Sequence, residues 1–412
     1  MYNITESIIW EHPSYFVKYN FNKKKLILHR ASLKNYHDHI KSLFVSCKYI
    51  TFKEKLRLNN NVTIYIFDPI NILKEQELMN VHYIESPNFL LSKHDLYTIK
   101  CKYKKNDLPP FNSFFLSNAI LLSKLFERND LNFSSERYDV ETIINNLKNR
   151  KPNMINDNKY VKEAIKYVET FFPNNIGNTI NFHYPINHEQ ARIWLQYIIK
   201  YILPVDFTYR SFIKDESNML DAVFSSSLNT GLLNPNEIYQ TINKSKRKIC
   251  YNSYLDLMQK IYFREYKRYV YMYHLDYIIS GSNSFYFTNT LSIEWYNGET
   301  GMYPVNVTIN KSITNAYISE NEAIYIIGSY MVLKEIIANN VFRWFMEIPI
   351  DSYEWIMIYN VYESILRKSS IRRFLKSSMH VMSLFYFEQK FEWTKIWDQT
   401  LNKFKRKYKN KL

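Results

Sequence analysis

Glycine and cysteine are the scarce residues of this chain. Six glycines in 412 residues fall far below the usual ~7%. That excludes collagen-like sequence, Gly-rich linkers and multi-glycine phosphate loops, and no GxGxxG or P-loop occurs. The three cysteines, Cys47, Cys101 and Cys250, stand apart without a CxxC pair. They make neither a four-thiolate cluster nor a disulfide framework and suit a reducing compartment. No apolar run reaches the ~18–20 residues of a membrane span. The first residues hold no basic segment ahead of an apolar one, so no signal peptide is expected and the chain is expected to be intracellular. HExxH and GxSxG are missing, and His37 and His39 are too close to share a helix face. Metal-assisted and serine hydrolysis therefore have no support.

What is abundant is aromatic and basic. The 36 Tyr and 27 Phe, within 46% hydrophobic content, require a folded core and exclude a disordered chain. The length leaves room for about two to four domains. Net charge is +15, which suits an anionic partner, nucleic acid first. An AT-rich coding sequence, enriching Lys, Asn, Ile and Tyr together, is the alternative source of the same surplus. The basic tail from Leu401 to Leu412 reads as a solvated, frayed end.

Along the chain, residues 1–105 read as α/β. Lys25–His29 is a short apolar run predicted as a strand, followed by a helix over 31–43. Asn61–Phe67 is a second β-rich run, ended by Asp68-Pro69. Ile72–Met79 has helical spacing and Val81–Ile84 is a further strand. Strands alternating with helices predict a parallel, Rossmann-like sheet with covered faces. Residues 106–185 are polar, Asn-rich and poorly periodic, a long connection. From 186 to 412 helical spacing dominates. Asn187 with Gln190 resembles a capping box, and Trp194, Tyr197, Ile198, Tyr201 and Ile202 fall on one stripe behind it. Helical spacing recurs through 253–275, 309–339 and 341–367, and no internal repeat is present.

Four ordered stretches carry a resemblance. Leu28–Tyr36 is similar to a His-Arg-Ala-Ser-Met-Lys element. Ser225–Pro235 is similar to a Leu-Ser-Pro-x-Leu-Asn-x-Gly-Leu-Leu-x-Pro loop. Trp295–Gly301 resembles a Trp-x-Gly-x-Thr-Gly segment, and Arg343–Tyr362 is the most specific match. All four resemble elements of the cryptochrome/photolyase superfamily, in its prokaryotic photolyase-related branch, many of whose members carry an iron–sulfur cluster. With weaker similarity between them, the resemblance spans roughly residues 25–400.

The resemblance implies an α/β antenna-type domain and a helical domain holding FAD in a U shape. In the loop, Ser225, Asn229 and the backbone of Gly231 and Leu232 would meet the FAD pyrophosphate; a polar helix-capping turn is the alternative for Ser225–Asn229. Gln259 and Arg264-Glu265-Tyr266 match a helix in which the Arg supports the flavin and the Gln faces the lesion. Phe263 stands where a lesion-facing Trp is usual and can still stack on a base. A core stripe with an ion pair at its edge is the alternative there. Asp351, Glu354 and Asn360 would face the isoalloxazine ring, or form an exposed acidic edge. Trp344 and Trp355 would relay electrons to the flavin, or simply pack the core.

The implied activity is FAD-dependent, light-driven electron transfer to a flipped pyrimidine lesion in damaged DNA. The alternative is a catalytically inactive homologue acting as a basic nucleic-acid-binding or structural protein. The implied location is cytoplasmic or DNA-associated, and a monomer is favoured, with the oligomeric state open. A pterin or lumazine antenna chromophore is left open as well. Several positions depart from the family. Its two lesion-side histidines read Ser319 and Glu320, and its Arg reads Ala323. Asp221-Ala222 and Met258 also differ, and Lys334 and Thr394 stand where cluster cysteines would fall. No iron–sulfur cluster is expected, because no cysteine follows Cys250.

Overall fold

A computed structural model describes residues 4–43, 46–58, 62–67, 70, 80–103, 108–118, 123, 158–205, 224–282, 284–385 and 392–412. The expected helix over Ile72–Met79, the turn at Asp68-Pro69, Asp221-Ala222 and half of the 106–185 connection lie outside these residues.

The amino-terminal part is β–α–β. Strand β1 (Glu6–Trp10) pairs in parallel with β2 (Ser46–Ile50), and helix α1 (Lys23–Lys41) crosses between them. Strands β3 (Ile64–Phe67) and β4 (Val81–Ile84) form a second parallel pair. The expectation of parallel strands is met, with α1 covering the β1–β2 pair, while Phe67 and Tyr83 of the β3–β4 pair stay exposed; Lys25–His29 is corrected: it is the opening of α1. Asn22 caps that helix by accepting from the Lys24 N–H (3.0 Å). Residues 24–31 are buried all round the helix. A run apolar on every face has no amphipathic period, so spacing alone does not separate it from a buried strand.

Helix α1 packs on α4 (Lys159–Phe171), and Leu26, Ile27 and Leu28 share one core with Val161, Ala164, Val168 and Phe172. Between these come α2 (Lys93–Cys101), with a Ser92–Asp95 capping box, and α3 (Phe111–Leu116). The remainder is helical around a second core. Its elements begin with α5 (His188–Tyr197), capped by Asn187 as expected, α6 (Ser225–Asn229), α7 (Pro235–Lys244) and the long α8 (Tyr251–Tyr273). They continue through α9 (Leu275–Gly281), α10 (Glu294–Asn297), α11 (Tyr303–Asn315), α12 (Ser329–Leu333), α13 (Ala338–Glu347) and α14 (Glu354–Met357). The last three are α15 (Lys368–Phe374), α16 (Ser378–Phe385) and α17 (Glu392–Lys407). Helix α17 buries Trp393, Trp397, Leu401 and Phe404, so the basic tail is a docked helix as far as Lys407 rather than frayed from Leu401. Among the described residues, no helix is long and apolar enough to cross a membrane.

Two connections place the elements around the candidate site. The loop before α2 is strapped to α8: Glu265, fully buried, accepts from the N–H groups of Leu90 (3.0 Å) and Leu91 (3.2 Å). Arg268 donates to the Leu91 carbonyl (2.8 Å) and lies over the Phe89 ring. The start of α1 is tied to α13 and the turn after it, where the Asn22 N–H donates to the Glu347 carbonyl (2.8 Å).

Candidate functional site

The residues expected to surround a flavin come from α6, α8 and the segment around α14. Helix α6 follows Phe224 and ends before Gly231, whose φ of 77° suits a residue without Cβ. A Cβ there would also sit 3.2 Å from the Asn88 side chain. The geometry brings Ser225, Asn229, Arg264, Asp351 and Trp355 together, but onto one another. The Ser225 hydroxyl donates to Asp351 Oδ2 (2.5 Å), and Asn229 Nδ2 donates to the Asp351 carbonyl (2.9 Å). Arg264, buried, donates from Nε to Asn229 Oδ1 (3.4 Å) and from Nη1 to the Asn88 carbonyl. Its guanidinium lies over Trp355 (5.0 Å) and Phe89 (4.5 Å).

Electrostatics follow from that closure. Burial pushes the Asp351 carboxyl above its usual range, opposed by the Ser225 hydroxyl and by Lys25 and Lys267. Burial draws the Arg264 guanidinium down to about 10, with Glu265 pulling the other way and Arg268 reinforcing the fall. The group is still cationic at neutral pH.

The other expected residues are placed elsewhere. Leu232 is buried, its carbonyl accepting from His188 Nδ1 (2.9 Å). Glu354 pairs with Lys18 (2.9 Å) and accepts from the Tyr271 hydroxyl (3.2 Å). Asn360 is partly buried in the wide helical turn Ile358–Glu363. On α8, Gln259 is exposed, whereas Phe263 is half-buried, edge-on to Phe111 (4.9 Å) and Tyr359 (5.2 Å). Trp344 is fully buried, its Nε1 donating to the Trp295 carbonyl (2.9 Å) and its ring meeting Phe345. Trp355 meets Phe89 (5.4 Å). Ser319, in a family histidine's place, bonds Glu322 (2.8 Å) as a helix cap, and Glu320 is exposed.

An FAD diphosphate and its ring need room between the Ser225 side and the Asp351 side. As arranged here, those two side chains touch, the Ser225 hydroxyl is closed on the Asp351 carboxyl, and Asn229 and Arg264 donate to protein oxygens as well. Ser225, Asn229, Arg264 and Asp351 therefore do not fit the group in this arrangement. Beneath them, the buried hydroxyls of Ser226 and Ser227 have no hydrogen-bond partner among the described residues. Also among the described residues, no group of three His, Cys, Asp or Glu side chains is placed to hold a metal ion.

Sequence reasoning missed a different constellation. A cavity of about 60 Å³ is lined by Ser14, Tyr15, Lys18, Lys25, Tyr353 and Glu354, among others. At its floor is Lys25, 1% exposed. Taken as part of a strand, Lys25 carries no signal of burial in its local sequence.

Comparison with known proteins gives the fold its lineage. No model of a protein family matches the chain. A (6-4) photolyase of Agrobacterium fabrum is 28% identical over 208 residues, 49% of this chain and 41% of that protein. Uncharacterized protein R855 of Acanthamoeba polyphaga mimivirus is 34% identical over 77 residues, 18% of this chain and 63% of that one. The match thus spans less than two thirds of either relative. Two solved structures share the fold at 13% identity and a TM-score of 0.51. One is a bacterial class III photolyase from Agrobacterium tumefaciens, covering 87% of this chain and 73% of its own. The other is an archaeal photolyase from Sulfolobus tokodaii, described with two FAD molecules, covering 99% and 93%. An α/β unit of parallel strands joined to a helical half is the architecture these proteins define. The chain thus shares the fold of these photolyases, and about half of it is similar in sequence to a (6-4) photolyase.

Proposed function

We propose that this chain is a DNA-binding member of the superfamily, from its prokaryotic photolyase-related branch, that performs no light-driven repair. The observation that supports this most directly is the Ser225–Asp351 hydrogen bond, which joins the two sides a flavin would separate. Ser319 and Glu320 add to it, since neither supplies an imidazole to a lesion near neutral pH. DNA as partner is supported by the net charge of +15 and by kinship with a (6-4) photolyase.

The test is the visible spectrum of the full chain before and after incubation with excess FAD, together with DNA affinity as a function of salt. The expected protein is colourless and stays so after gel filtration. For three neutralised phosphates its DNA affinity falls about 40-fold between 50 and 200 mM salt. Stoichiometric flavin retention, or affinity indifferent to salt, overturns the proposal. Retention of FAD is the competing function, favoured by the unpartnered hydroxyls of Ser226 and Ser227 in the stretch that resembles a flavin loop; the same spectrum decides between them.

A further inference from the structure

We propose that Lys25 is an attachment point for a small carbonyl compound, an aldehyde of two or three carbons that enters the cavity beside it and condenses with Nζ to an imine. The site adjoins the Ser225–Asp351 contact through Ser352 but does not rest on the function proposed above.

Three observations carry it. The first is space: the cavity of about 60 Å³ at Lys25 has room for several water-sized groups at ~10–15 Å³ of such space each, enough for the few heavy atoms of a small aldehyde. The second is the setting of the amine. Lys25 Nζ meets the carbonyls of Met346 (3.3 Å) and Ser352. A neutral amine has two N–H bonds, which those two acceptors satisfy, leaving its lone pair free for the open side. The third is the wall. Tyr15 and Tyr353 line the cavity, and Lys18 and Glu354 form an ion pair (2.9 Å) among the lining residues.

Charged and titratable groups around the amine are consistent with this. Burial draws Lys25 down to about 7, against the pull of Asp351. Burial with the nearby Lys25 likewise draws His29 down to about 3, so its ring is neutral. With Nδ1 donating to the Tyr15 carbonyl (3.3 Å), His29 Nε2 accepts from the Tyr353 hydroxyl (2.9 Å) and fixes that phenol in place. Burial keeps the phenols of Tyr15 and Tyr353 protonated. In the condensation, Nζ attacks the carbonyl carbon and a C–N bond forms. The carbonyl oxygen, protonated from Tyr15, leaves as water carrying in net both amine hydrogens, and no electrons are exchanged.

A lysine that merely capped the end of α13 would remain an ammonium, its third N–H against the faces of Phe21 (4.7 Å) and Tyr353 (5.4 Å). The two roles separate on the unmodified full chain. It is incubated at neutral pH with acetaldehyde and sodium cyanoborohydride, which reduces the imine, and the ethylated lysines are mapped by peptide mass. Expected is ethylation of Lys25 at least about tenfold faster than of the exposed Lys403 and Lys405, a preference that disappears in urea, because only the folded chain depresses the amine. Lys25 left unmodified, or modified no faster than those surface lysines, overturns the proposal.

Discussion

A single buried amine ties stability to pH in this protein. Lys25 is held near 7 when folded and returns to about 10.5 when the chain unfolds. Below pH 7 both states bind the proton and pH has no effect through this group. Between about 7 and 10.5 the unfolded chain binds a proton that the folded chain has lost, so the stability to unfolding rises with pH by up to about 1.4 kcal/mol per unit. Above pH 10 the buried tyrosines act in the opposite sense, because the folded chain keeps phenolic protons that the unfolded one releases. Burial lowers Lys267 in the same sense, so Lys25 is read from the difference between wild type and Lys25→Met in urea midpoints at pH 7.5 and 9.5. The wild type is expected to gain about 2 kcal/mol more than the variant across that interval. A slope unchanged by the substitution would place the amine's folded value near that of a solvated lysine.

Helix α1 is held to its neighbours by one cation with two carboxylates. Arg30 meets Glu11 (2.7 Å), which is wholly buried at the end of β1, and Glu163 (2.6 Å) on α4, which is 45% exposed. Glu11 also accepts from the hydroxyls of Tyr49 (2.7 Å) and Tyr167 (2.8 Å) and from the Phe52 N–H (3.1 Å). The two carboxylates differ in what they lose when the arginine goes. Arg30→Met strands a buried charge on Glu11 and is expected to cost about 3–5 kcal/mol. Glu163→Gln removes a solvated partner and should cost less than ~1 kcal/mol. Denaturant unfolding of the two variants checks the order; equal costs would mean that α4, not β1, anchors the pair. Elements whose residues alternate between water and core were legible in the sequence. Asn187 and the stripe behind it predicted α5, and the β-branched runs predicted β3 and β4. The opening of α1 was not, because a segment buried on every face shows no period, and its two lysines at 24 and 25 disguise the burial. Of the residues expected at the site, Ser225, Asn229, Arg264 and Asp351 meet, whereas Glu354, Leu232 and Trp344 are engaged elsewhere. What spacing does not contain is whether they meet around a ligand or around each other.

For the whole molecule, the surplus of fifteen positive charges matters only where cations lie free of carboxylates. Helix α17 provides such a place. Trp393, Trp397, Leu401 and Phe404 dock one face, which leaves Lys403, Lys405 and Arg406 exposed on the other, while Lys407 is spent on Glu335 (2.6 Å). A docked helix presents these cations at fixed spacing, whereas a frayed tail would only screen the net charge. Each cation that neutralises a phosphate contributes about 0.9 to the slope of log affinity against log salt on duplex DNA. Replacing Lys403, Lys405 and Arg406 together by Gln should therefore lower that slope by up to about 2.7. The fold should survive, because none of the three supports the core beneath α17. Fluorescence anisotropy with labelled duplex over a salt series measures the slope, and circular dichroism confirms the helix. A slope that does not move would assign DNA binding to another face of the molecule, and loss of all salt dependence would show that this one helix carries the whole interface.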